Sequence, residues 1–108
     1  MKTIIAINIV FAFVTLLYAG DWEYFNKAER HQNDGNVQAA IEQYNLAIKE
    51  NPNFSEAYNN LGLLYQYNIK NIKKAINIYL AGLAKKPMNY SLNLNLMYAY
   101  FQTGKSKK

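Results

Sequence analysis

AAIEQYNLAIKENPNFSEAYNNLGLLY, residues 39–65, decides how this chain is read. Its first half puts Ala40, Tyr44, Ala47 and Ile48 at helical spacing on one face. Pro52 cannot continue a helix, and Asn51 and Asn53 suit a turn. Ser55 is then placed to cap a new helix, with Glu56 in the first turn, where a carboxylate meets the positive helix end. Tyr58, Leu61, Gly62 and Tyr65 form a second apolar face. Small residues at Ala40, Ala47 and Gly62 let two helices approach closely, and the tyrosines fill the volume between them. The stretch reads as the second helix of one hairpin, a turn, and the first helix of the next.

The pattern recurs. Ala40, Tyr44 and Pro52 map onto Ala75, Tyr79 and Pro87, each 35 residues on. Leu61 and Tyr65 map onto Leu96 and Tyr100 at the same offset. Backwards by 34, Gly62 and Tyr65 map onto Ala28 and His31. Self-similarity at this period is what repeat folds show. A small residue, an aromatic, a second small residue and a proline, followed by aromatic, Leu-Gly and Tyr, resembles the tetratricopeptide repeat, a helix–turn–helix unit of about 34 residues. The resemblance covers residues 22–104. It implies an all-α chain, a tetratricopeptide-like α-solenoid. Two helix–turn–helix repeats, at 21–54 and 55–89, are followed by a closing C-terminal helix at 90–104. The family's usual right-handed stack is expected.

Working outward, residues 1–19 read as a signal helix. Lys2 gives a positive start, Ile4 to Leu17 is mostly apolar, and Ala19 is a small residue at the end. Cleavage is expected after Ala19, with Gly20 as runner-up, and the protein is expected to be exported, periplasmic or secreted. The alternative is a leader retained as a membrane anchor over residues 4–19. The apolar run is short for a span of about 20 residues, and with no cysteine no bacterial lipid anchor forms there.

The first mature helix is expected over 21–34, with Asp21 as its cap. Gly35 follows in the left-handed conformation that ends helices. Val37–Glu50, Ser55–Tyr67, Asn71–Lys85 and Tyr90–Gln102 supply the other four helices, the last ended by Thr103-Gly104. The turn at Asn68–Asn71 is one residue longer than its counterpart and has no glycine, so Asn68 or Asn71 is expected to take the left-handed conformation. Met97 replaces Gly62 of the previous unit, which suits a final helix with no partner packed on that side. Residues 105–108 are a basic tail.

Chemistry is not visible. His31 is the one histidine and completes no triad or metal set; it reads as a stand-in for the packing tyrosine. Gly35, Gly62, Gly82 and Gly104 are punctuation and packing residues with no phosphate-loop spacing. No catalytic, cofactor-binding or metal residues are assigned, no cofactor is expected, and the chain is read as no enzyme. Asn53 and Asn89 open N-glycosylation sequons, but both fall in the inter-hairpin turn, where Asn and a capping Ser are expected anyway.

Charge is uneven. Asp21 to Glu56 holds seven acids and three bases, net −4; from Ala57 onward there are eight lysines and no acid. Ordinary solvated surface accounts for this, and so does a basic end that meets a membrane surface or an anionic polymer. Export argues against nucleic acid as partner.

In the resembling family, the first helix of each hairpin lines a concave groove for an extended peptide. Carried onto this chain, that groove is lined by Phe25, Glu29 and Gln32, by Asn59, Asn60, Leu63 and Tyr67, and by Leu94, Asn95, Tyr98 and Phe101. Of the carboxylate clamp used by chaperone-tail binders only Asn60 fits; Phe25, Glu29, Ser91 and Asn95 stand where basic or amide residues are needed. The expected function is a protein–protein interaction scaffold in an exported compartment, holding a peptide or protein in an amide- and aromatic-lined groove. The alternative is a membrane-anchored accessory subunit of an envelope complex. Self-association through the apolar last helix is a further expectation.

Overall fold

The computed structural model describes residues 2–106, with side chains at residues 8–10, 12 and 20–104. It is a chain of helices: α1 (Lys2–Asn33), α2 (Val37–Glu50), α3 (Ser55–Leu63), a π-helical segment (Leu64–Ile69), α4 (Ile72–Lys85) and α5 (Tyr90–Ser106). Consecutive helices pack against one another, and α3 also touches α5. The layers therefore alternate: α1, α3 and α5 on one side, α2 and α4 on the other. Among the described residues there is no strand.

Two packed clusters hold the hairpins. In the first, Phe25 and Ala28 of α1 meet Ala40, Ile41, Tyr44 and Ala47 of α2, with Phe54, Ala57, Leu61 and Leu64 beyond. In the second, Tyr58 of α3 meets Ala75 and Tyr79 of α4 and Leu92 and Ala99 of α5. The spacings predicted this: alanines sit where backbones approach, and Tyr44 and Tyr79 are wholly buried. Gly62 faces α4, where an added Cβ would stand 2.2 Å from Tyr79 Cε1. Gly82 faces Tyr58 and Leu92, both 2.9 Å from where its Cβ would be.

Several local expectations are corrected. α1 runs unbroken from Lys2 to Asn33, so Asp21 is not a helix cap. It is buried inside the helix, accepting from Trp22 N–H at 2.8 Å and from Asn51 Nδ2 at 2.9 Å. Asn8, Ile9, Val10 and Ala12 are exposed, whereas Asp21, Phe25 and Ala28 are buried, so packing against the hairpin sets in near residue 20.

Ser55 is not the cap of α3; Phe54 holds that position and no side chain caps the helix. Phe54 is fixed by its ring, which stacks on Phe25 with centroids 5.0 Å apart and leans on Trp22 at 4.7 Å. Aromatic packing has taken over the cap's task of setting where the helix starts. Asparagines cap later helices: Asn71 Oδ1 accepts from Lys74 N–H, and Asn89 Oδ1 from Leu92 N–H.

The extra residue of the second hairpin is absorbed before its turn. Gly35 takes the left-handed conformation, as expected, at φ 80°. In the second hairpin the left-handed residue is Lys70, φ 64°, not Asn68 or Asn71. Asn36 N–H closes the first turn on His31 O, five residues back, and Asn71 N–H closes the second on Tyr65 O, six back. This wider closing ring follows the π segment, and both lie where the repeat offset changes from 34 to 35.

α5 also outruns its expected end. Thr103 Oγ1 donates to Tyr100 O at 2.7 Å, Gly104 keeps a negative φ, and the helix continues to Ser106. Residues 107–108 of the basic tail lie outside the described residues.

Candidate functional site

Two polar nodes order the face made by α1, α3 and α5. At the first, Tyr44 of α2 donates its phenol proton to Gln32 Oε1 at 2.7 Å and accepts from Asn60 Nδ2 at 3.3 Å. One buried hydroxyl thus joins α1 to α3. At the second, Tyr79 of α4 donates to Gln66 Oε1 at 2.7 Å, and Gln66 Nε2 donates to Gln102 Oε1 at 2.6 Å. That chain joins α4, the π segment and α5. A buried hydroxyl needs such partners, because leaving one unmade costs about 1–3 kcal/mol. Burial pushes the Tyr44 phenol above its usual pKa; the Asn60 bond opposes the rise, and the Glu29 carboxylate adds to it. Tyr79 is pushed up further, by burial first and by Tyr67 second.

Toward the starts of α3 and α5 lies a cavity of about 380 Å³. Of the expected groove residues it gathers Phe25, Glu29, Asn59 and Asn60, and it adds Ser55, Glu56, Asn89 and Ser91. Phe25 is its floor: only 6% of the ring's residue is exposed, so it is a core residue showing one edge. Asn60 spends a donor on Tyr44, and Asn59 accepts from Asn95 Nδ2. These amides are therefore partly satisfied within the fold. Gln32, expected in the lining, belongs to the Tyr44 node.

Leu63, Tyr67, Leu94, Tyr98 and Phe101 lie outside this cavity. Leu63 and Leu94 are half-buried; Tyr67, Tyr98 and Phe101 are exposed, the last two at 49% and 60%. The Gln66–Gln102 bond draws the end of the π segment to the end of α5, so the exposed aromatics lie near that end of the face.

The lining holds two carboxylates, Glu29 and Glu56, and no cation. Sequence reading met Ser91 only as an unfilled clamp position and missed Ser55, Glu56 and Asn89, because it followed helix faces, whereas these sit at helix starts that meet across the layer. It also missed Gln66 and Gln102, although Gln66 lies 34 residues after Gln32, the same offset that relates Tyr65 to His31.

Residues 33–68, from the last residue of α1 through α2 and α3 into the π segment, match the family profile described as TPR repeat. Over these residues the chain is similar to a tetratricopeptide repeat. The matched span holds Ala40, Tyr44, Ala47, Pro52, Tyr58, Leu61, Gly62 and Tyr65, the residues that carry the packing above. No curated protein matches the chain significantly. Tetratricopeptide repeats typically are non-enzymatic modules that mediate protein–protein interaction. Among the described residues no group of three or more His, Cys, Asp or Glu side chains stands ready for a metal.

Proposed function

We propose that this protein is an interaction scaffold in an exported compartment, and that the α1–α3–α5 face holds a peptide segment of its partner. The observation that carries this reading is the cavity between α1, α3 and the start of α5. Amides and hydroxyls suit backbone N–H and C=O groups, and Glu29 with Glu56 suits a basic side chain. Tyr98 and Phe101 supply apolar anchors farther along, as aromatics do at interfaces. The test is site-specific photo-crosslinking in the cell that makes the protein. A photoreactive residue at Ser91 is expected to capture a protein partner, and one at Gln38, exposed on α2, is not. Capture from Gln38 alone overturns the reading.

Export is supported by the leader's charge and apolarity and by the change from exposed to buried side chains near residue 20. Intact mass of the native protein is expected to start at Gly20 or Asp21. The unbroken α1 favours a second reading, a membrane-anchored accessory subunit with its leader retained. No helix among the described residues is long and apolar enough to cross a membrane. A full-length mass in the membrane fraction selects it.

A further inference from the structure

On the other layer, α2 and α4 enclose a groove of about 440 Å³, within the range of ligand-sized clefts. Its floor is apolar, built from Ile48 of α2, Tyr58 of α3 and Ile78 of α4. Its rim carries Lys73 and Lys74, and Asn77 one turn farther along α4. Both lysines and Asn77 are exposed. Lys74 Nζ is held 4.8 Å from the centroid of the Tyr65 ring, which keeps its charge beside the groove.

The charges here have no counterpart. No carboxylate lines the groove, the first turn of α4 has no acid, and no acid follows Glu56 in the sequence. Among the described residues neither lysine is ion-paired; the salt bridge there is Lys27–Glu23. Two lysines in a first turn also oppose the positive helix end. An apolar trough bordered by unopposed positive charge is complementary to an apolar side chain flanked by carboxylates.

We infer that the α2–α4 groove docks an acidic segment of a partner protein, with an apolar residue in the trough and carboxylates on Lys73 and Lys74. The site is separate from the α1–α3–α5 cavity, whose own carboxylates favour the opposite charge. One chain then presents two surfaces of opposite preference, one per helix layer.

The probe is a labelled hexapeptide with a Leu-Phe pair between two acidic residues on each side, followed by fluorescence anisotropy on the purified protein. Its amide counterpart, with Asn and Gln for the acids, is expected to bind at least about tenfold more weakly. Raising salt from about 0.05 to about 0.5 M is expected to weaken the acidic peptide at least about fivefold. Lys73→Glu, and Asn77→Trp, which fills the groove from an exposed position, are each expected to weaken it at least about fivefold, with the melting temperature kept. Ser91→Trp, on the other layer, is expected to leave it unchanged. Equal binding of both peptides, full binding by both groove variants, or loss in Ser91→Trp overturns the inference. So does binding of anionic phospholipid vesicles, lost in Lys73→Glu, with no peptide bound, or salt-sensitive dimers in place of peptide binding.

Discussion

Gly62 lies under the Tyr79 ring: a methyl group there would come within 2.2 Å of Cε1 and 2.7 Å of Cδ1 and Cζ. Each residue is explained by the other. A tyrosine fills the space between α3 and α4 only because α3 has no side chain at that point. Gly62→Ala gains about 1 kcal/mol of helix propensity, and the clash with a rigid, fully buried ring outweighs it. Net destabilisation of roughly 1–3 kcal/mol is expected by urea unfolding. In a Tyr79→Ala background the same change is expected to be neutral or stabilising, so a double-mutant cycle reads the contact itself. Additive effects would contradict the packing account. Met97, 56% exposed at the matching place on α5, is expected to tolerate leucine at under about 0.5 kcal/mol.

Lys70 occupies the left-handed conformation that glycine takes at Gly35. For an L-residue that conformation costs about 1–2 kcal/mol, partly offset by glycine's greater freedom when unfolded. Lys70→Gly is expected to raise stability by about 0.5–1 kcal/mol, and Gly35→Ala to lower it by a similar amount. A loss on Lys70→Gly would show that the lysine side chain does more than close the turn.

How much of this was legible in the sequence follows from what each feature depends on. Ala40, Tyr44, Gly62 and Tyr79 were readable because close helix packing constrains residue type, and the constraint repeats. The cap of α3 was not, because Phe54 is placed by Trp22 and Phe25, which are distant in sequence or outside the cap pattern. Lys70 was not, because the π segment shifts the turn by one residue and no residue type marks a π turn. The cavity was half legible: Glu29, Asn59 and Asn60 follow from helix faces, whereas Ser55, Glu56 and Asn89 depend on how the starts of separate helices meet.

Burial raises the pKa of Tyr44, Tyr58 and Tyr79. In the unfolded chain these phenols ionise near pH 10; in the fold they keep their protons to higher pH. Their contribution is therefore complete below about pH 10 and is lost as pH rises through the folded values. The thermal midpoint is expected to hold from neutrality to about pH 9.5 and then fall. Tyr79→Phe, which cannot ionise, is expected to start lower, by about 0.5–1.5 kcal/mol for the lost bond to Gln66, and to fall less steeply. An unchanged alkaline slope would remove Tyr79 as a contributor.

Tyr90, Met97, Tyr98, Tyr100 and Phe101 are exposed along α5. Exposed apolar residues in this density mark contact surfaces. Sedimentation of the purified protein at low and high salt is expected to show association through this helix, strengthened at low salt by attraction between the acidic first repeat and the lysine-rich remainder. A monomer at both salts and high concentration assigns the surface to a different partner.

The α1–α3–α5 face is proposed to bind the partner. The most direct test is titration calorimetry with the protein captured from Ser91. Tyr98→Ala is expected to weaken binding by about 2 kcal/mol or more, and Glu29→Gln by about 0.5–1.5 kcal/mol. Lys73→Glu is expected to leave affinity for this partner nearly unchanged. Full affinity in Tyr98→Ala and Glu29→Gln, with loss in Lys73→Glu, would contradict the account and move the binding surface to the α2–α4 layer.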